Sequence, residues 1–446
     1  MKTDYDSLIE GIFERHPSVQ VSGFGPRSYK AGIEAMEQFD SLLGSPWKGY
    51  GCLHVAGTNG KGTVCSMLAT ALSRKGYKVG LYTSPHLLDF RERIKIVSDG
   101  SWRMIGREDV MEFLQDEKRS EAMEGLSFFE ITTGMALWYF GRQKVDYAVV
   151  EVGLGGRLDS TNIITPLVSV VTSIGLDHCA LLGSTRAEIA AEKAGIFKKG
   201  VPAVVWGRDE ETFGVFVETA RSRGAELVVA EGWGECGGYE PRIEMDARTA
   251  LCALNSIGIE AGVGDIRDYA CATGLQARWD LRRIGGYEAI LDMGHNAQAL
   301  EGNFRRLAGL GRPLVVVFGI MADKDLEGIA PLFVAGAKYF LCAPPTPRAL
   351  PSGELFLRLS ALRPDLDLVD AGGVQEAVRR AVGECDRLAG RDGRAVGAGP
   401  VGGAVGAEAA GAWAVGGAVG AEAVGAGPVV YIGGSTFVVA EVLKEL

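Results

Sequence analysis

Cys52-Leu53-His54-Val55-Ala56-Gly57-Thr58-Asn59-Gly60-Lys61-Gly62-Thr63 is the stretch whose reading decides the fold. Its first part is a short apolar run and reads as a buried strand. A glycine-rich turn follows, and Val64-Cys65-Ser66-Met67-Leu68-Ala69-Thr70-Ala71-Leu72 is an uninterrupted helix former. Strand, turn and helix together make a phosphate cradle. Gly57, Gly60 and Gly62 let backbone approach phosphate oxygens, the turn's N–H groups and the helix N-terminus face the anion, and Lys61 adds a point charge. Thr63 places a hydroxyl within reach of a phosphate-bound Mg²⁺. The spacing is tighter than the usual phosphate-loop pattern, since Gly57 to Gly60 is shorter and Gly62 separates Lys61 from the hydroxyl residue. A glycine turn alone is also compatible with a plain βα connection. Lys61, Thr63 and the flanking strand and helix favour phosphate binding.

Strand-like runs recur outward from this stretch. Tyr77 to Tyr82 leads into Thr83-Ser84-Pro85-His86. Val145 to Glu151 ends in a carboxylate and is followed by Gly153-Leu154-Gly155-Gly156-Arg157-Leu158-Asp159. Leu167 to Ile174 is followed by Asp177-His178, and Val201 to Trp206 is a further strand. Helical segments separate them, one opened by the capping box Thr185-Arg186-Ala187-Glu188. This alternation predicts an α/β fold with a mostly parallel sheet. Ligands bind at the C-terminal ends of such strands. Glu151 at a strand tip beside a phosphate loop is therefore placed to hold Mg²⁺, which takes one or two carboxylates plus phosphates. Ser84 suits metal or phosphate, or a simple Ser-Pro turn. His178 suits a site or a satisfied structural role. Phe128-Phe129 suits a flat ligand or a core. Lys193 by itself reads as a solvated helix lysine.

At 446 residues the chain exceeds one ordinary domain. Residues 1–20 and 33–43 read as amphipathic helices, residues 207–245 carry few motifs, and Ala250 to Ile259 reads as helical. A second α/β unit is predicted from strands at Ala289–Asp292, Leu314–Gly319, Tyr339–Ala343 and Val429–Gly433, with the junction near Gly285, giving domains 1–284 and 285–446. Within the latter, 389–428 is a low-complexity insertion: Val401 to Ala409 recurs at Val415 to Ala423, and Ala395 to Val401 recurs at Ala423 to Val429. Ala and Gly supply too little apolar area to offset chain entropy, which predicts a mobile surface loop.

A net charge of −10 with scattered signs argues against a nucleic-acid surface. The eight cysteines form no C-x-x-C pair and read as buried small apolar residues in a reducing compartment. No apolar signal opens the chain and no charge-free run reaches membrane-spanning length, so the expectation is a cytoplasmic protein with no membrane partner.

Gly57-Thr58-Asn59-Gly60-Lys61-Gly62-Thr63, Thr83-Ser84-Pro85-His86, Phe128-Phe129-Glu130, Glu151 to Asp159, Asp177-His178, Glu192-Lys193-Ala194-Gly195-Ile196, Asp292-Met293-Gly294-His295-Asn296 and Asp323-Lys324-Asp325 occur in this order. Together they resemble the folylpolyglutamate synthase/dihydrofolate synthase family of the Mur ligase superfamily, over nearly the whole chain outside 389–428. The resemblance implies a P-loop-type ATPase domain followed by a smaller Rossmann-like glutamate-ligase domain. It implies an ATP-dependent amide ligase that phosphorylates the carboxylate of dihydropteroate or a folate and joins it to L-glutamate, acting as a monomer. By the family pattern, residues 57–63 hold ATP phosphates with Lys61 catalytic, and Ser84, Glu151 and His178 bind two Mg²⁺ ions, His178 also counting as catalytic. Lys193 matches a carbamylated, catalytic lysine. Ser127, Phe128, Phe129 and Glu130, with Leu158, Asp159 and Ser160, match positions near the pterin. Arg278, Asp292 and His295 match ATP-facing positions. The sequence departs from the pattern at Asp246, where the family has an ATP-contacting Asn, at Gln276-Ala277-Arg278 for Pro-Gly-Arg, and at Met293-Gly294-His295-Asn296 for Gly-Ala-His-Asn. Two other readings fit parts of the pattern: a Mur-type ligase acting on a cell-wall precursor, and a non-catalytic ATP-binding regulator.

Overall fold

The computed structural model describes residues 4–23, 25, 32–234, 236, 239–390 and 427–446. The chain divides into two compact units, Met1–Leu275 and Gln276–Leu446. The strands of the first are β1 (Gly51–Ala56), β2 (Val79–Tyr82), β3 (Ile94–Ser98), β4 (Ser101–Met104), β5 (Tyr147–Glu151), β6 (Val168–Val171), β7 (Ala203–Val205) and β8 (Leu227–Val229). They form one sheet in the order β4-β3-β2-β5-β1-β6-β7-β8. Pairing is parallel from β2 through β8, and β3 and β4 add an antiparallel edge.

Burial explains the sequence pattern. Cys52 to Ala56 of β1 and Ala148 to Glu151 of β5 are buried throughout, as strands covered on both faces must be, so they read as continuous runs without alternation. Helix α1 (Lys61–Arg74), which follows the glycine turn, is buried from Gly62 to Ser73. A helix enclosed on all sides carries no amphipathic stripe, in keeping with its sequence. Helix α2 (Phe128–Gln143) packs within the larger apolar cluster of this unit, which includes Met36, Phe39, Phe113, Ile131 and Phe140. Helix α3 (Arg186–Ala194) has the predicted capping box: Thr185 accepts from the Glu188 N–H, and the Glu188 side chain answers. Helix α4 (Pro241–Ser256) starts well before the expected Ala250, because Pro241 sits at its first position and the Glu240 side chain caps it. Residues 207–245 also hold a helix at Phe213–Arg223 and the edge strand β8, which at three residues is too short to stand out in the sequence.

The second unit contains β9 (Asp280–Ile284), β10 (Tyr287–Asp292), β11 (Leu314–Phe318), β12 (Lys338–Ala343), β13 (Asp367–Gly373) and β14 (Val429–Gly433), in the order β13-β12-β11-β14-β10-β9. All neighbours are parallel except the β9–β10 hairpin. That hairpin moves the junction from the expected Gly285. Asp280 to Ile284 pairs with β10, so the break falls between Leu275 and Gln276, and Gly285 and Gly286 are the hairpin turn with positive φ. Phe304, Phe318, Phe333, Tyr339 and Tyr431 centre this unit's core. Most of the insertion, 391–426, lies outside the described residues.

All eight cysteines are free thiols. Six are buried as expected, but Cys179 and Cys271 are exposed on short helices. Among the described residues, no helix is long and apolar enough to cross a membrane.

Candidate active site

Four strand tips of the first sheet converge in the order β2, β5, β1, β6. They deliver Ser84, Glu151, the Gly57–Thr63 turn and Thr172-Ser173 to one edge, the position where open α/β sheets bind ligands. The turn is held from the β6 side. Thr58 N–H donates to the Ser173 carbonyl at 2.7 Å, Thr172 Oγ1 donates to the Asn59 carbonyl at 2.7 Å, and Gly175 N–H donates to Thr58 Oγ1 at 3.0 Å. Gly57 and Gly60 have φ of 149° and 90°. A β-carbon on Gly57 would stand 1.8 Å from Thr172 Oγ1, and one on Gly60 would stand 2.3 Å from Asp246 Oδ1. Both glycines are therefore obligatory for close approach as well as for conformation.

Two ammonium groups meet at this turn. Lys61 Nζ donates to the Gly57 carbonyl at 3.0 Å and to the Thr58 carbonyl at 3.2 Å. Lys193, on α3 and 4% exposed, donates to the same Gly57 carbonyl at 3.0 Å. A carbonyl has two lone pairs and can accept both. Among the described residues, neither lysine forms an ion pair. Burial first, and then the Lys61 charge, push the Lys193 amine down to about 7, against the pull of Asp177, Asp159 and Glu192. The helix lysine is thus a buried amine whose neutral form is well populated near pH 7.

Glu151, 3% exposed, accepts from the Ser84 backbone N–H at 3.0 Å. Its Oε2 lies 3.7 Å from where a β-carbon of Gly62 would be, so the carboxylate overlooks the end of the phosphate turn. His178 has a left-handed backbone with φ of 53°. Its N–H donates to Asp177 Oδ1 at 2.9 Å and its Nε2 lies 3.8 Å from the same oxygen. Among the described residues, no three His, Cys, Asp or Glu side chains gather around a metal position. What the edge does offer is a carboxylate and a serine beside a turn shaped for phosphate. Such oxygen donors suit a hard divalent cation that takes its remaining ligands from phosphate and water.

The expected pterin residues divide by what they already do. Ser127 and Glu130 form the capping box of α2, with Ser127 N–H donating to Glu130 Oε2 at 2.7 Å and Glu130 N–H donating to Ser127 Oγ at 3.3 Å. Phe128 is buried and stacks on Phe13 with ring centres 4.8 Å apart, beneath the Arg93 guanidinium at 5.3 Å. Phe129 is half-buried, 5.9 Å from the Tyr82 ring, and lies so close to Gly153 that a β-carbon there would stand 2.4 Å from it. Asp159 turns its carboxylate into its own loop: Oδ2 accepts from Leu154 N–H at 2.8 Å and Oδ1 from Thr161 N–H at 3.0 Å. Leu158 is half-buried and Ser160 buried. Phe129 and Leu158 are thus the two with side chains neither buried nor engaged in the loop's own bonding.

In the second unit, Arg278 sits between two left-handed residues, Ala277 with φ of 57° and Trp279 with φ of 53°. Their N–H groups are held by Asp280 Oδ2 at 3.2 Å and Asp292 Oδ2 at 2.8 Å. Left-handed non-glycine residues are uncommon and collect at functional sites. Asp292 also accepts from Gly294 N–H and Asn303 Nδ2, both at 2.7 Å. His295 Nδ1 donates to the Met293 carbonyl at 3.0 Å. The left-handed residues around Arg278 and the nearness of Asp246 to Gly60 carry no local sequence signature beyond the departures from the family pattern.

Comparison with known proteins adds the following. A family model described as Mur ligase, glutamate ligase domain matches residues 277–389. The folylpolyglutamate synthase of Lacticaseibacillus casei is 34% identical, with 69% of this chain and 80% of that protein covered. The dihydrofolate synthase/folylpolyglutamate synthase of Bacillus subtilis is 41% identical, with 67% and 78% covered. Among solved structures, Escherichia coli FolC in complex with DHPP and ADP matches with a TM-score of 0.75 at 26% identity, covering 99% of this chain and 97% of that one. A bifunctional folylpolyglutamate synthase/dihydrofolate synthase with Mn, AMPPNP and L-glutamate bound matches with a TM-score of 0.72 at 28% identity, covering 93% and 94%.

Proposed function

The chain belongs to the folylpolyglutamate synthase/dihydrofolate synthase family of ATP-dependent ligases, and from that premise we propose that it adds L-glutamate to dihydropteroate, to folylglutamates, or to both. The observation that carries the proposal is the Gly57–Thr63 turn, to whose Gly57 carbonyl Lys61 and the buried Lys193 both donate, with the Glu151 carboxylate at its end.

A carboxylate is a poor acyl donor at neutral pH. In the proposed reaction its oxygen attacks the γ-phosphorus of ATP and ADP leaves. The glutamate nitrogen then attacks the carbonyl carbon of the acyl phosphate, and phosphate leaves. The chain's task is to hold the triphosphate and neutralise charge as it shifts. The Gly57–Thr63 turn and the N-terminus of α1 receive phosphate oxygens, and Lys61 swings from its backbone acceptors onto them. Glu151 and Ser84, with His178 nearby in the chain pattern, would hold two Mg²⁺ ions. When bound, the metal neutralises phosphate oxygens and steadies the departing charge.

Lys193 is proposed to be carbamylated. Its neutral amine near pH 7 is the form that adds to CO₂, and the product is an anion. That change would set an anion beside the Lys61 cation in place of a buried amine. Phe129 and Leu158 supply the apolar wall for a flat pterin, and Arg278, Asp292 and His295 belong to the nucleotide side. The working form is proposed to be a monomer.

Neither a cell-wall acceptor nor a purely regulatory role is favoured by any feature of the site. The test is ADP release that depends on both glutamate and dihydropteroate or a folate. Release supported by a UDP-linked precursor instead, or ATP binding without amide formation, would overturn the proposal.

A further inference from the structure

His54 lies on β1, the strand that delivers the phosphate turn, and its side chain has no solvent exposure. Its Nε2 is 2.8 Å from Thr161 Oγ1. Thr161 Oγ1 in turn donates to Asp159 Oδ1 at 2.5 Å. Burial holds the Asp159 carboxyl above the usual carboxylate range, against the pull of the Thr161 hydroxyl and the backbone N–H groups that both its oxygens accept. The single hydroxyl proton of Thr161 is therefore committed to Asp159, and His54 Nε2 must be the donor to Thr161. This fixes the tautomer with the proton on Nε2 and a lone pair on Nδ1. That Nδ1 is buried and has no hydrogen-bond partner. Burial, assisted by the Lys198 charge, pushes the ring down to about 3, so it stays neutral.

An unpaired buried nitrogen costs stability. An apolar residue would fill this strand position without that cost, so the stability of β1 does not explain the histidine. Its one polar contact runs through Thr161 to Asp159, and the loop that Asp159 closes touches two parts of the site. Gly153 lies against the Phe129 ring, and a β-carbon on Gly156 would stand 2.9 Å from the Lys193 carbonyl.

We propose that His54 is a positioning residue for the folate-type substrate: through Thr161 it orients the Asp159 carboxylate, and so sets the 153–160 loop against Phe129 and the segment bearing Lys193. The proposal rests on the reading of that loop as the pterin side of a glutamate ligase. The relay passes no proton; it is a chain of directional hydrogen bonds from the phosphate-loop strand to the loop facing the second substrate.

The test uses the full chain with His54→Leu, His54→Gln and Thr161→Val, each checked for a folded core by circular dichroism. Gln can place an amide N–H near the position of Nε2. His54→Leu and Thr161→Val are expected to raise KM for dihydropteroate about tenfold while KM for ATP stays within about twofold, and His54→Gln to recover most of the loss. ¹⁵N NMR of the imidazoles should show two neutral rings protonated on Nε2 that do not titrate between pH 5 and 8, His54 and His86, whose Nδ1 accepts from Arg93, and His54→Leu should remove one of them. A His54→Leu variant with unchanged KM for dihydropteroate, equal losses for both substrates, or a His54 ring protonated on Nδ1 would overturn the relay. Wild-type turnover with an indifferent His54→Leu sinks the relay alone. Absence of wild-type turnover sinks the assigned activity, and the tautomer still decides the relay.

Discussion

Glu151 ends β5 in the first unit and Asp292 ends β10 in the second, each the last residue of a buried strand. Their surroundings differ. Asp292 receives three donors from its own unit, Trp279 N–H, Gly294 N–H and Asn303 Nδ2, and serves to lock the turn around Arg278. Glu151 is bound by the Ser84 N–H and stands over the end of a turn on which two lysines crowd one carbonyl. An acid at a strand tip does not by itself report a ligand. What distinguishes the first unit is that two lysine nitrogens converge on one backbone carbonyl of the glycine turn, close enough for the Lys61 charge to help push the buried Lys193 amine down to about 7. The first edge is the proposed site of an anion and its cation, whereas Asp292 fixes the backbone of the turn that carries Arg278.

The largest expected effect breaks this contrast at its centre. Lys61→Ala should lower ADP release at least about 10³-fold with little change in unfolding midpoint, since the lysine contributes only two bonds to nearby carbonyls in the structure. Next is Lys193. In CO₂-free buffer the enzyme should lose activity and regain it on adding bicarbonate. The sign of the pH effect follows from a pKa lowered to about 7: below it the amine is protonated and cannot add to CO₂, above it the lone pair is free. At fixed dissolved CO₂, reactivation at pH 8 should therefore be about tenfold faster than at pH 6. Lys193→Arg should show no bicarbonate response, and a variant as active as wild type would remove the carbamate from the account.

Asp246 sharpens the same contrast from the other side. Its buried carboxylate fills the space where a β-carbon of Gly60 would stand, beside the proposed phosphate position. Asp246→Asn should lower KM for ATP about three- to tenfold, the effect of removing one nearby negative charge. A raised KM would mean that the acid assists binding. In the second unit, Asp292→Ala leaves buried donors without a partner and should cost about 3 kcal/mol in urea unfolding. Smallest is Ser127→Ala, which removes the N-cap of α2 and should cost about 1 kcal/mol in the same titration.

The sequence made much of this legible where short-range physics decides. The strand, glycine turn and helix at residues 51–74 were readable because glycine, lysine and the apolar runs act locally, and the Thr185–Glu188 capping box formed as its spacing requires. Features set by distant packing were not. Lys193 reads as an ordinary helix lysine because nothing in its neighbours in sequence announces that the chain will bury it against Gly57. Strand β9 was missed because Asp280-Leu281-Arg282-Arg283-Ile284 pairs at a sheet edge, with alternate residues exposed, and its loss displaced the domain junction by about one hairpin. The S-x-x-E spacing of Ser127 and Glu130 also held the capping box that opens α2, a local signal that the sequence reading did not use.

The most direct test of the central claim, that the Gly57–Thr63 edge is the catalytic phosphate site, is ADP release dependent on glutamate and dihydropteroate or a folate, run on wild type and Lys61→Ala in parallel. The account predicts stoichiometric amide formation and ADP release for the wild type and neither for the variant. Equal turnover by the two proteins would contradict it.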